Sequence, residues 1–180
     1  MKSSKTINII AISGSLKSTS SNTNILRSVA DLATQDIVFK IFDGLNTLPH
    51  FNPEIKEISP SVVSWRQQLK EADSVIFSTP EYAFGVPGVL KNALDWLVSS
   101  GELNEKPVAA ISASPLHSGG DKALASLLLT LTALGATMNA GSCLSIGNIK
   151  NKMNEAGILS DTETINALKQ LLNSLIEMMP

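Results

Sequence analysis

The chain has 180 residues, 43% of them hydrophobic and 17% charged, with a formal charge of -2, which excludes a disordered or fibrous protein and fits one domain, residues 1–180, able to bury its own core. One Cys (Cys143) and two His (His50 and His117) exclude an internal disulfide and the ligand sets of structural zinc or iron–sulfur sites. The 14 basic residues form no run and aromatics make up only 4%, so the expected partners are small molecules or other proteins, with no nucleic acid and no membrane surface.

Five short apolar runs alternate with helical patterns. The first, INIIAI at 7–12, is brief and β-branched and stops at Gly14, as a fully buried parallel strand does. Lys2 and Lys5 precede it, but Asn8 interrupts it and no small-residue cleavage site follows, so a signal peptide is not expected. A Ser/Thr/Asn-rich loop then leads into a helix beginning near Asn22, with Ile25, Leu26, Val29, Ala30, Leu32 and Ala33 at helical spacing. The second run, IVFKIF at 37–42, carries Lys40 and suits a sheet edge. Residues 43–60 form a long irregular connection before a helix over 62–72, marked by Val62, Trp65, Leu69 and Ala72.

The third strand, SVIFST at 74–79, ends at Pro80. Pro87 is placed as the first residue of the next helix, whose apolar face is Leu90, Ala93, Leu94, Leu97 and Val98, with Gly101 as its stop. The fourth strand covers 108–113, a helix follows over 121–134, the fifth strand is 143–146, and a helix over 161–178 closes the pattern. The uncharged stretch 123–149 reaches membrane-spanning length, yet Gly135, Asn139, Gly141, Ser142 and Asn148 break it, so it reads as a core helix, a turn and a buried strand. A cytoplasmic location is expected.

Strands alternating with helices at this spacing predict an α/β three-layer sandwich with a five-stranded parallel sheet, and the flavodoxin-like order 2-1-3-4-5 is the expected topology. Ligands in such sheets bind beyond the carboxyl ends of the strands where the order reverses, so the loops after strands one, three and four hold the candidate chemistry. The first, at 14–24, offers Ser15, Ser18, Thr19, Ser20, Ser21 and Thr23 hydroxyls, Lys17, and the free N–H groups of a helix start. That is either an anion cradle or a set of helix caps around a turn at Gly14. Thr19 stands where a nucleotide-triphosphate loop needs its second glycine, and Leu16 breaks a dinucleotide fingerprint, so a flavin mononucleotide phosphate is the better fit.

The second loop, at 79–97, fixes a short turn with two prolines and two glycines and presents residues 81–84, with Tyr82 as a wall for a flat heterocycle. In the helix beyond it, Lys91 and Asp95 read as an exposed ion pair and Trp96 as core. The third loop, at 112–122, pairs Ser112 and Ser114, donors for ring carbonyls, with Gly119 and Gly120, which allow close backbone approach. His117 reads as a solvated loop residue, and no Ser-His-Asp arrangement is supported.

Taken in order, Gly14-Ser15-Leu16-Lys17 with Ser20 and Asn22, then Pro80-Glu81-Tyr82 through Val86-Pro87-Gly88 and residues 90–97 (LKNALDWL), then Gly119-Gly120, resemble the NADPH-dependent FMN reductase family. The resemblance implies a flavodoxin-like fold, noncovalent FMN, and phosphate contacts from Ser15, Lys17, Ser20, Ser21, Asn22 and Thr23. It implies a ring site at Pro80, Glu81, Tyr82, Ala83 and Phe84 on one side and Ser112, Ser114 and Gly119 on another. NADPH or NADH would donate electrons, quinones, free flavins or similar molecules would accept them, and a homodimer or homotetramer would place the flavin near a subunit interface. The flavin carries the reactivity, so no catalytic side chain and no metal are expected. Lys17 stands where the family usually has Arg, Ala83 where Asn is common, and Phe84 and Lys122 where Tyr and Arg are frequent. The rival reading is a flavodoxin-like electron carrier or a non-enzymatic flavin-binding module. Such carriers tend to be strongly acidic, and this chain is nearly neutral.

Overall fold

The computed structural model describes residues 6–179, so Lys2 and Lys5 lie outside the described residues. Its sheet has five parallel strands in the order β2-β1-β3-β4-β5, with β1 Ile7–Ser13, β2 Ile37–Phe42, β3 Ser74–Thr79, β4 Val108–Ala113 and β5 Cys143–Ile146. The helices are α1 Ser21–Leu32, α2 Pro60–Glu71, α3 Gly88–Asp95, α4 Asp121–Ala133, α5 Ile149–Lys152 and α6 Thr162–Glu177. The expected flavodoxin-like topology is therefore the observed one.

The central strands are apolar on both faces because both faces are covered. From β1, Ile10 and Ile12 enter one core with Val75, Phe77, Trp65, Leu69, Leu90, Leu94 and Leu127, under α2, α3 and α4. Ile9 and Ala11 enter the other with Ile76, Ile111, Ile25, Leu26, Leu168 and Leu171, under α1 and α6. Only the edge strand β2 alternates, with Val38 and Lys40 exposed.

Local chemistry sets the helix ends. Ser59 accepts a hydrogen bond from the Val62 N–H and Pro60 opens α2, while Asp161 accepts from the Thr164 N–H at the start of α6. Pro87 is the N-cap of α3, one residue earlier than expected, which still places it where no N–H is required. The end of α3 also differs from expectation. After Asp95 the chain tightens through Leu97 N–H to Leu94 O and Val98 N–H to Asp95 O, reaching Gly101 at φ +76°. That tightening turns Val98 outward, where it is exposed rather than packed.

Between β5 and α6 the chain forms the short helix α5, entered through Asn148 in the left-handed conformation and pinned by buried Ile149. No helix among the described residues is long and apolar enough to cross a membrane.

Candidate functional site

The strand order reverses at β1, whose neighbours are β2 on one side and β3 on the other, so the loops after β1 and β3 diverge around a crevice. Gly14 leaves β1 with its N–H on the Ser78 carbonyl, and a Cβ there would crowd Leu90 at 3.0 Å and the Thr79 hydroxyl at 3.2 Å. In the loop beyond it, Ser15 Oγ accepts from the Lys17 N–H at 3.2 Å, and Lys17 itself is exposed. Thr23 donates to Ser13 Oγ at 2.8 Å, tying the first turn of α1 back to the strand end.

Ser20 is buried and stands at the N-cap of α1, yet its side chain makes no capping bond, and the first turn carries no acidic residue. An α-helix start without side-chain cap or carboxylate, beside an exposed lysine, is a donor set that fits a phosphate dianion. Ser21 and Thr23 are half-buried beside it. Asn22 is different. Its amide donates to the Ala113 carbonyl at 3.1 Å and accepts from the Ser78 hydroxyl at 2.9 Å, so its side chain bolts α1 to β3 and β4. What it can offer an anion is its backbone N–H.

After β3, the chain folds into a two-residue hairpin. Tyr82 and Gly85 exchange N–H···O bonds at 3.0 Å in both directions, and the apex residues Ala83 and Phe84 have φ 49° and 62°. Two positive φ angles mark a type I′ turn, which favours Asn-Gly, so Ala-Phe holds it under strain. Tyr82 and Phe84 are exposed, the latter at 80% of its surface. Pro80 and Glu81 form the half-buried stem, where the Glu81 carboxylate accepts the Ala123 N–H of α4 at 3.0 Å.

After β4, Ser112 is fully buried with its hydroxyl 3.3 Å from that of Ser145, and Ser114 accepts from the Leu116 N–H at 3.1 Å. Gly119 and Gly120 have φ +68° and +81°, and a Cβ on Gly119 would overlap the Ser145 hydroxyl. His117 is exposed and its Nδ1 lies 3.4 Å from the Asn148 amide. Burial pushes the Cys143 thiol at the start of β5 above its ordinary value, which disfavours the thiolate.

The structure thus brings the three predicted loops to one end of the sheet, where a Cβ on Gly120 would lie 3.4 Å from the Cβ atoms of both Glu81 and Ser112. Two cavities of about 390 Å³ flank the first loop, one toward Asp43 and Leu45 beyond β2 and the other toward Asn154 and Gly157. A cavity of about 600 Å³ lies at the opposite, amino-terminal end of the strands beside Asp73 and Lys106, away from these loops.

Several supporting residues have no local sequence signal. Gly147 packs so tightly that a Cβ would overlap the His117 carbonyl oxygen, and so sets the path of the third loop. In the motif at 90–97, Asn92 donates to the Pro49 carbonyl and accepts from the Phe51 N–H, and Trp96 also donates to Pro49, so the motif anchors the long 43–60 connection. Lys91 and Asp95 pair at 2.6 Å on the exposed side of that helix, and Trp96 is core, as the spacing predicts.

A family model described as NADPH-dependent FMN reductase matches residues 7–151, from β1 into α5. A NAD(P)H-dependent FMN reductase of Pseudomonas aeruginosa is 31% identical over 173 residues, covering 94% of this chain and 93% of its own. A quinone reductase of Escherichia coli K12 is 28% identical, covering 97% and 96%. Among solved structures, the flavoenzyme NAD(P)H:(acceptor) oxidoreductase FerB of Paracoccus denitrificans superposes with a TM-score of 0.85 at 26% identity, over 96% of both chains. These matches run through every loop described above, and the chain belongs to the NADPH-dependent FMN reductase family.

Proposed function

We propose that this chain is a NAD(P)H-dependent oxidoreductase that holds FMN noncovalently in one domain and passes reducing equivalents to quinones, free flavin or similar acceptors. The observation that carries this reading is the bare amino end of α1, where buried Ser20 leaves its capping role unfilled beside exposed Lys17 at the strand-order reversal. Bound FMN would supply the redox chemistry between nicotinamide and acceptor, which no side chain of this site offers by itself.

The chain's own residues bind and orient. Lys17, Ser15, Ser20, Ser21 and Thr23 would hold the phosphate through charge and hydroxyl donors, with the backbone N–H of Asn22 joining them. Pro80, Glu81, Tyr82, Ala83 and Phe84 would border the ring on one side, and Ser112, Ser114 and Gly119 on the other. The exposed Tyr82 and Phe84 offer apolar aromatic surface at the rim, which favours planar organic acceptors. Such exposure also supports a homodimer or homotetramer in which a second copy covers the rim. A cytoplasmic location belongs to the same reading, consistent with the interrupted apolar runs of the sequence.

The test is reconstitution. Purified protein incubated with FMN and freed of excess should retain flavin and oxidise NAD(P)H steadily with a quinone, needing no separate reductase. Flavin retention without NAD(P)H turnover would instead identify an electron carrier.

A further inference from the structure

We propose that Glu81 is a positioning residue: it caps α4 from a different loop and thereby latches the hairpin after β3 to the glycine turn after β4. Gly120, the N-cap of α4, has no side chain and sits at φ +81°, so the helix start has no local cap. Asp121 in the first turn faces solvent, 3.5 Å from Lys122. The missing acceptor comes from Glu81, 42 residues earlier, whose carboxylate takes the Ala123 N–H at 3.0 Å. An anionic acceptor there also meets the positive end of the helix dipole.

The fit is close on both sides. A Cβ at Gly120 would lie 3.4 Å from the Cβ atoms of both Glu81 and Ser112, so the two loops touch across the glycine. Glu81 is followed at once by the hairpin whose apex, Ala83 and Phe84, is strained in the left-handed region. A strained turn keeps its place only when its stem is anchored, and the Glu81 bond is the side-chain anchor reaching across to α4. Beyond the paired ends of β3 and β4, the Glu81 carboxylate therefore holds the hairpin stem against the glycine turn through its bond to α4, whatever contact the rest of Glu81 makes with the ring. The consequence for FMN rests on the functional reading above, while the cap itself does not.

The experiment compares wild type, Glu81→Ala, Glu81→Gln and Asp161→Ala, the last removing a cap of the same chemistry from α6, remote from the loops. Amide exchange at Ala123 is measured on the flavin-free chain by NMR, and FMN affinity and visible circular dichroism are measured by titration. Glu81→Ala should speed Ala123 exchange and weaken FMN about tenfold with an altered ring signal. Glu81→Gln, which keeps an acceptor oxygen, should restore both. Asp161→Ala should lower the melting temperature without changing FMN affinity. Unchanged Ala123 exchange in Glu81→Ala, or equal weakening of FMN by Asp161→Ala, overturns the latch. Should wild type bind no FMN, the functional reading fails, and the Ala123 exchange comparison still decides whether Glu81 caps α4.

Discussion

Neighbouring residues in the first loop do opposite work. Ser20 makes no side-chain capping bond and Lys17 is exposed, whereas Asn22 spends its amide on β3 and β4. Combined Lys17→Ala and Ser20→Ala should therefore weaken FMN by about 100-fold, the loss of a charge and a charge-assisted hydrogen bond, while the melting curve stays near wild type. Asn22→Ala should show the reverse pattern, a loss of stability, because buried Ser78 and the Ala113 carbonyl lose their partners. The sequence makes the hydroxyl-rich loop legible but not this division, since Asn22 reaches partners 56 and 91 residues away and no spacing reveals that.

Asp161 gives a pH test at the same scale. Hydrogen bonds from Lys152 and Thr164 hold its carboxyl at about 2, below the ordinary 3.8. Because the folded value is depressed, its stabilising contribution is present above 3.8 and disappears as pH falls toward about 2. The thermal advantage of wild type over Asp161→Asn should be constant at neutral pH and shrink across that acid window, as read by melting curves at stepped pH.

Elements tell core from loop. Leu94 is fully buried in α3 under the sheet, so Leu94→Ala should cost about 2 to 5 kcal/mol by denaturant unfolding. Gly147→Ala should instead displace the third loop, because its Cβ collides with the His117 carbonyl, and should weaken FMN as well as stability. In the hairpin, Ala83→Asn should raise stability by about 0.5–1 kcal/mol, since Asn suits the left-handed apex better than Ala. The strands and most helices are legible because buried strands and amphipathic helices carry periodic apolar patterns. The short helix α5 and the trans cap at Glu81 are not, because one rests on a single buried Ile149 and the other on a contact between distant loops. Val98 misleads for a related reason. Its helical spacing holds only while α3 stays regular, and the chain tightens after Asp95.

At the scale of the molecule, the 2-1-3-4-5 sheet order explains how a chain with one Cys and two His can serve redox chemistry. The fold gathers hydroxyls, a lysine, a strained aromatic hairpin and two left-handed glycines at one sheet end, a setting for a borrowed cofactor. The near-neutral net charge weighs against a strongly acidic electron carrier, which favours direct use of NAD(P)H. The decisive measurement is the absorbance spectrum of purified protein after FMN loading and removal of free flavin, followed in the same cuvette by NAD(P)H addition. Retained flavin bands that bleach with NAD(P)H and return with a quinone are the predicted result. Protein that stays colourless after loading, while properly folded, would contradict it.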